Sequence, residues 1–565
     1  VLVLGIQKDH HSSVCLYEDN KLIYYCEEER LTREKKTSHL PIMCINQIVD
    51  FFCKKIDVAV ITGYDFESLG TCGAYLKHVK LIDNIEEQVF SFYKSHHLLH
   101  AAKAFYDSGF KNSYVFVVDG RGSSFNLNNG EVAYETSSVY FFENPNKFKC
   151  LYKRCFTNSE INENLSLNLN CEQGVHYNIT PLSLDKNTII EIHNEHDLGL
   201  FYAETSKHFN FFQEEGKLMG LSAYGKENKH LKKILNSGEF WFKKYGDRNN
   251  LRQVNIKKYP ELKYEEKNNE NLLDFSFLIQ GKFENDYFNF IKKHYDEKIS
   301  ENLIITGGTG YNVVNNFKLK KKFKNLFVEP LCGDEGNSIA ACQFYLKQIN
   351  PNIEFNKLQN LFIGNKYVYN IKLNDDEISS RNVKLNEVTD LLIQGKVIAL
   401  YQGNSEGGPR ALGNRSLLLD PRIVNGKEIM NEIKKREKFR PFACSILKEN
   451  VHEWFDMAGL EDSPFMMYAV NCLKDVDKKI PSVIHVDKTC RVQTVTENYN
   501  KILYCLLSNF NKKTNCPLLM HTSFNLAGDP LVETPEDAIN TLKKSRLEYV
   551  YFADIETLVY KKSMI

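Results

Sequence analysis

The stretch YVFVVDGRGSS, residues 114–124, decides the reading of the fold. Its first five residues are aromatic or β-branched, which suits a buried strand. The strand then runs into a Gly/Ser-flanked loop headed by Asp119, and extended segments follow at Val132–Tyr134 and Ser138–Phe142. The start of the chain repeats the arrangement. Val1–Ile6 (VLVLGI) is a buried strand, QKDHHSS a polar loop, and Val14–Tyr17 and Leu22–Cys26 flank a turn at Glu18–Asn20. Two strand–loop–hairpin units in one chain predict a duplicated α/β fold.

That twofold pattern resembles the actin, heat-shock ATPase and sugar-kinase (ASKHA) class of nucleotide-binding folds. A further strand at Leu303–Thr306 leads into GGTGYN, a glycine turn and helix start, where backbone can approach an anion closely. The Asn-rich, aperiodic segment Asn350–Asn370 marks an inter-domain linker, after which Glu377–Gly395 is expected to be helical and Val397–Tyr401 to open a new α/β unit. Two domains are therefore expected, residues 1–352 and 366–565. Lys226–Asn271, rich in Lys, Asn and Glu, reads as surface insertion.

Bulk composition narrows the function. Lys+Arg and Asp+Glu both number 72, so charge gives no argument for long nucleic acid or a membrane surface. No apolar run approaches the roughly 20 residues that span a bilayer. No leader is evident, and because Val1 is not a methionine a few upstream residues are expected. Fifteen cysteines, none in CxxC spacing, argue for reduced buried thiols in a cytoplasm.

Candidate chemistry lies in both halves. His96 and His100 sit four apart in SHHLLHAAKAF, a spacing that puts both imidazoles on one helix face, while His97 points elsewhere and reads as a solvent or packing residue. Asp119 ends a strand, and Asp334 in CGDEGN follows the extended segment Leu326–Pro330. Two His and two Asp form a mixed N/O set suited to Fe(II), Zn(II) or Mn(II). The bland alternative for each Asp is a turn or cap residue. His10 in the first loop is a candidate proton acceptor, and Lys35 after EEERLTRE a candidate anion holder. In the second half, Arg410 and Arg415 flank the turn in GGPRALGNRS, and IKKREKFRPFA carries Lys434, Arg436 and Arg440. Arg491 lies in an alternating strand, and Ser523 and Asn525 follow the strand Leu518–Met520. Convergent cations suit a triphosphate and a phosphorylated co-substrate. The competing account is a set of structural ion pairs with Glu437, Asp420 and Asp487. No Walker A, kinase, GxSxG, HExxH or redox CxxC signature is present.

Taken together, LGI…HHSSVCLYEDNKL, EEERLTREK, SHHLLHAAKAF, VVDGRGSS, GKLMGLSAYG, TGGTGYN, EPLCGDEGNS, GPRALGNRSLLLDPR, KKREKFRPFA, HVDKTCRVQTV and TSFNLAGDPLVETPEDA resemble the NodU/CmcH family of O-carbamoyltransferases over nearly the whole chain. The resemblance implies an N-terminal TsaD-like domain of the ASKHA class and a C-terminal YrdC-like α/β domain. It implies that carbamoyl phosphate and ATP, with Mg(2+), form carbamoyl-adenylate and pyrophosphate in the second domain. A small hydroxylated acceptor would then take the carbamoyl group in the first. By motif, the metal ligands would be His96, His100, Asp119 and Asp334, with Fe(2+) or Zn/Mn. The donor contacts would be Arg410, Lys434, Arg440, Arg491, Ser523 and Asn525. His10 and Lys35 would serve transfer, and Lys217, Gly220, Gly307, Gly308 and Asn312 would hold nucleotide in the N-terminal domain. Two pockets with a shielded passage, and a homodimer, are further expectations. His11 stands where relatives carry an acid, and no defined role is assigned to it; Cys444 replaces a frequent Pro. The segment 157–194 is expected to shape the acceptor site. Threonylcarbamoyl-type tRNA modification, carbamoylation of a hydroxymethylated nucleobase or nucleotide, and a non-catalytic scaffold stay open as alternatives.

Overall fold

The computed structural model describes residues 1–8, 10–52, 54–63, 67–92, 94–143, 147–158, 161, 165–167, 178–179, 187–196, 198–209, 211, 213–236, 269–370 and 374–562. Much of 157–194 and of 226–271 therefore lies outside the described residues, and with it the expected acceptor segment and surface insertion. The architecture is mixed α/β with three sheets.

The duplication seen in the sequence is present in the topology. In the first sheet, Leu2–Gln7 pairs antiparallel with Ser13–Glu18, which pairs antiparallel with Lys21–Glu27; on its other side Leu2–Gln7 runs parallel to Val58–Thr62, and that strand parallel to Val89–Ser91. In the second sheet, Asn112–Val118 pairs antiparallel with Val132–Glu143, which pairs antiparallel with Lys147–Thr157; its other side runs parallel to Asn302–Thr306 and then Asn325–Val328. Parallel neighbours need crossovers, and these supply the helices that cover the sheets.

Two of those helices fill the space between the sheets. His96–Ser108 packs on the second sheet and Asn337–Ile349 on the first, and the two helices pack on each other. Gly5 makes this possible: a Cβ there would stand 2.2 Å from the Ser338 carbonyl oxygen, so only glycine lets helix Asn337–Ile349 sit this close to the strand. Because both helices start at the same end of the sandwich, their N-termini open onto one cleft.

The third sheet has ten strands and belongs to the second half, from Ile378–Asn382 to Thr557–Lys561. Its centre places Leu518–Ser523 against Arg415–Leu419 and Ala443–Leu447, and the latter parallel to Thr489–Val495. One expectation is corrected here. The helix read over 377–395 is a strand, Ile378–Asn382, followed by a shorter helix, Leu385–Ile393. The strand exists because Thr557–Lys561 offers it an antiparallel ladder, a partner nearly two hundred residues away that local periodicity does not reveal. Residues 350–370 are irregular and bridge the halves, with Leu358 N–H donating to the Asp107 carbonyl and Asn365 to Gln47.

Candidate functional site

A cavity of about 1650 Å³ lies between the two halves. Both duplicated loops reach it, His10 and His11 from the first and Asp119 to Ser124 from the second. The second half contributes Arg410, Lys434, Arg436, Arg440, Arg491, Ser523 and Asn525 to the same walls. Two separate pockets were expected; one continuous cavity is lined by the cations and by Asp119 and Asp334.

At one end, four side chains converge. His96 and His100 occupy the first turns of their helix, Asp119 follows strand Asn112–Val118, and Asp334 precedes helix Asn337–Ile349. His96 Nε2 lies 3.1 Å from His100 Nε2 and 3.2 Å from Asp334 Oδ1. It stands 3.3 Å from Asp119 Oδ2, while His100 Nε2 is 3.3 Å from Asp334 Oδ1. One ligand atom from each of the four lies within 4.8 Å of the others. Donors sharing one ion at bond lengths of about 2.0–2.2 Å sit roughly 3 Å apart, so this spacing fits a divalent cation. Imidazole nitrogen with carboxylate oxygen is a donor set for Fe(II), Zn(II) or Mn(II). The set is also held in place. Asp119 Oδ1 accepts the N–H of Gly120 at 2.7 Å and of Gly308 at 3.3 Å, which leaves Oδ2 for the cluster. Burial disfavours charge on His96, but Asp334 and Asp119 outweigh it and hold its proton up to about 10. Burial likewise opposes the Asp334 carboxylate, yet His96 and His100 keep it well below its usual range. The four groups attract positive charge collectively, and a cation can take the place of that proton.

At the other end sits a cluster of cations. Lys434 Nζ donates to Asn525 Oδ1 and to the Asn525 carbonyl, both at 2.9 Å, to Ser523 Oγ at 3.3 Å, and to the Ser523 carbonyl. Burial, aided by Arg436 and Arg440, pushes the Lys434 ammonium well below its ordinary range. Burial and neighbouring Arg410 and Arg436 do the same to Arg491. The Nε atoms of Arg410 and Arg491 are buried without a hydrogen-bond partner. The carboxylates that would have made this a set of structural ion pairs are engaged elsewhere. Asp420 holds Arg422 at 2.6 Å, Glu437 holds Lys217 at 2.6 Å, and Asp487 caps Thr489. Among the described residues, no salt bridge forms to Arg410, Lys434, Arg436, Arg440 or Arg491. Lys434 is buried and the four arginines are half-buried, so a polyanion in the cavity would supply the opposite charge that the protein does not.

The two ends are wired together. Arg410 Nη2 donates to the Tyr311 carbonyl at 3.4 Å, Tyr311 Oη hydrogen-bonds Glu335, and Glu335 follows Asp334. Burial and Glu27 push the Glu335 carboxyl up to about 8. His11, expected to have no defined role, lines the cavity with Nδ1 3.5 Å from Glu335 Oε2. Lys35 also lines it, its ammonium pushed down by burial.

The expected N-terminal nucleotide set is divided. Lys217, Gly308 and Asn312 are on the cavity wall, but Lys217 is already gripped by Glu214 at 2.5 Å and by Glu437. Asn312 caps helix Val313–Lys320 and exchanges amide bonds with Gln280. Gly220 lies behind the wall against Pro441 and Phe439. Gly307, at φ 85°, serves close packing instead: a Cβ there would meet the Val118 backbone at 2.5 Å. Arg415 faces away from the cavity, stacked on Tyr401 and bonded to the Gln402 carbonyl at 2.6 Å. His97 is fully buried, not solvent-facing. Tyr311 and Glu335 were missed as site residues, and only the proximity of Glu335 to Asp334 in sequence hinted at one of them, whereas Arg436, singled out with Lys434 and Arg440 as a candidate cation, does line the cavity.

Fold and site thus place a cluster of Lys and Arg side chains and a metal-fitting cluster together at one cavity between the halves. Residues 71–342 match the family model of the carbamoyltransferase N-terminus and residues 389–561 that of the carbamoyltransferase C-terminus. The chain belongs to the carbamoyltransferase family. It is similar to nodulation protein NolNO of Sinorhizobium fredii, 27% identical over 95% of this chain and 77% of that protein. It is 28% identical to nodulation protein NolO of Bradyrhizobium diazoefficiens over 80% of this chain and 77% of that protein. Nodulation protein U of Azorhizobium caulinodans is 32% identical over 41% of this chain and 40% of its own length. Among solved structures, component A of (R)-2-hydroxyglutaryl-CoA dehydratase from Acidaminococcus fermentans covers 62% of this chain and 98% of its own, at 12% identity and a TM-score of 0.33, a likeness too low to bear on function.

Proposed function

We propose that this carbamoyltransferase makes carbamoyl-adenylate from carbamoyl phosphate and ATP and passes the carbamoyl group to a hydroxyl of a small acceptor. The observation that carries the proposal is the single cavity, whose walls hold Lys and Arg side chains without carboxylate partners among the described residues and two of the four members of the metal-fitting cluster. On this reading the two N-terminal sheets form a TsaD-like half and the ten-stranded sheet a YrdC-like half, in a cytoplasmic enzyme.

Atom balance orders the donor step. While the carbamoyl group is esterified to phosphate it has no free oxygen nucleophile, so water must first release phosphate and leave carbamate. The carbamate oxygen then attacks the α-phosphorus of ATP, an O–P bond forms, and Mg(2+)-pyrophosphate leaves. Arg410, Lys434, Arg440 and Arg491 would neutralise the phosphates, and Ser523 and Asn525 would fix Lys434 for that task. In transfer, the acceptor oxygen attacks the carbamoyl carbon, its proton goes to His10, and the carbon–oxygen bond to AMP breaks. Lys35 would balance charge on the departing phosphate. His96, His100, Asp119 and Asp334 would hold Fe(2+), or Zn(II) or Mn(II), which supplies Lewis acidity beside the transferring group. Carbamate and carbamoyl-adenylate are both short-lived in water, and a shared cavity shortens the path between the steps that make and use them.

The test is mass spectrometry of a library of hydroxylated metabolites incubated with enzyme, carbamoyl phosphate, ATP and Mg(2+). A product heavier by one carbamoyl group, formed only with both donors present, is expected. AMP formation supported by bicarbonate and threonine, and not by carbamoyl phosphate, would contradict the proposal in favour of threonylcarbamoyl chemistry.

A further inference from the structure

Directly behind the metal-fitting cluster lies a buried ion pair that the transfer chemistry does not use. Glu135, on strand Val132–Glu143, and Lys153, on strand Lys147–Thr157, form it with side chains each 1% exposed. A buried ion pair contributes little net stability compared with apolar packing, so stability is a poor account of it. Its hydrogen bonds suggest another. Glu135 Oε1 accepts the backbone N–H of His97 at 3.1 Å and of Ser123 at 3.0 Å. The first belongs to the opening turn of the helix that carries His96 and His100; the second belongs to the loop that begins at Asp119. One carboxylate oxygen thus joins two segments that supply three of the four ligands. The Ser123 hydroxyl makes a parallel link, accepting the His96 N–H at 3.1 Å. Two backbone bonds, Gly122 N–H to the Glu135 carbonyl at 2.7 Å and Glu135 N–H to the Ser123 carbonyl at 3.0 Å, keep the loop in register with the strand. A negative charge at a helix N-terminus is also favourable to the helix itself. Lys153 Nζ, which also reaches Ser138 Oγ at 3.2 Å, makes the carboxylate affordable in the core, and Ser138 Oγ is in turn 2.9 Å from His97 Nδ1. Gly122 is required for this approach, because a Cβ there would lie 2.6 Å from Glu135 Cγ.

We propose that Glu135, with Ser123, is a positioning residue of the metal centre: it fixes the helix bearing His96 and His100 against the loop bearing Asp119, so that the donors are aligned before any ion binds. The inference rests on reading those side chains, with Asp334, as ligands. Groups that orient ligands change metal affinity by about 10- to 100-fold when removed.

The experiment is a Co(II) titration of the metal-stripped full chain, followed by the visible d–d spectrum, on three variants. Glu135→Gln with Lys153→Met removes both buried charges together, so no unpaired ion is left in the core. Ser123→Ala removes only the parallel link and is small enough to fold if the double variant does not. His96→Ala removes a ligand. Expected are a 10-fold or greater loss of Co(II) affinity in the double variant, a several-fold loss in Ser123→Ala with a melting temperature near the parent's, and a changed d–d spectrum in both. Parent-like affinity and spectrum in Ser123→Ala and in a folded double variant, while His96→Ala loses binding, would overturn the positioning role and leave the ligand set standing. Undiminished binding by His96→Ala would overturn the ligand set and the positioning role with it.

Discussion

Lys434 shows how a single side chain can carry both structure and chemistry. It is buried, bonded to Ser523 and Asn525, and held by burial and by Arg436 and Arg440 well below the ordinary lysine range. In the anion-free protein the unfolded chain therefore binds more protons than the folded one between that lowered value and about 10.4, and stability contributed by this group rises with pH across the window. A bound polyphosphate reverses the local field and favours the ammonium, so binding takes up a proton and weakens as pH rises through the same window. The increase in melting temperature caused by pyrophosphate should accordingly be larger at pH 7 than at pH 9; equal increases would count against an anion site at Lys434. Lys434→Ala should lower carbamoyl-phosphate-dependent pyrophosphate release by about 100-fold or more, as measured by chromatography of the pyrophosphate formed from ATP labelled in its γ-phosphate. Undiminished release would remove Lys434 from the donor step.

At the scale of elements, the account depends on two helices that meet between two sheets. Gly5→Ala would press a methyl group into the Ser338 carbonyl, forcing helix Asn337–Ile349 and the adjoining Asp334 to shift. Overpacking of this kind costs about 1–3 kcal/mol, readable as a lowered denaturation midpoint, and weaker Co(II) binding should accompany it. His96→Ala should spare pyrophosphate release and abolish acceptor carbamoylation, because its contacts are with His100, Asp119 and Asp334 and not with the cation cluster. Much of this level was legible in the sequence. The i,i+4 spacing of His96 and His100 sets a shared helix face, and Asp119 and Asp334 each follow a strand, so all four could be expected at one end of a duplicated sandwich. The strand Ile378–Asn382 was not legible, because its ladder comes from the far end of the chain. Nor was Glu135: its spacing from His97 and Ser123 has no period, and its role arises only when Val132–Glu143 folds back beside the loop. Gly307 shows a further constraint that sequence does not reveal, since its close approach to the Val118 backbone leaves no room for a Cβ.

For the whole molecule, the departure from expectation is that the cationic and metal-fitting groups share one cavity instead of occupying two pockets. Tyr311 joins the two halves there, its carbonyl accepting from Arg410 and its hydroxyl donating to Glu335 beside Asp334. Among the described residues no helix is long and apolar enough to cross a membrane, and the described cysteines are all free thiols. The central claim is that ATP is cleaved at its α-phosphate by a carbamate and not at its γ-phosphate. The direct measurement is product analysis of ATP labelled in the α-phosphate, incubated with the enzyme, Mg(2+) and carbamoyl phosphate. The account predicts label in carbamoyl-adenylate and in the AMP that its hydrolysis leaves, with pyrophosphate equal to their sum, all dependent on carbamoyl phosphate and lost in Lys434→Ala. Label recovered as ADP, with release of phosphate from ATP, would contradict it.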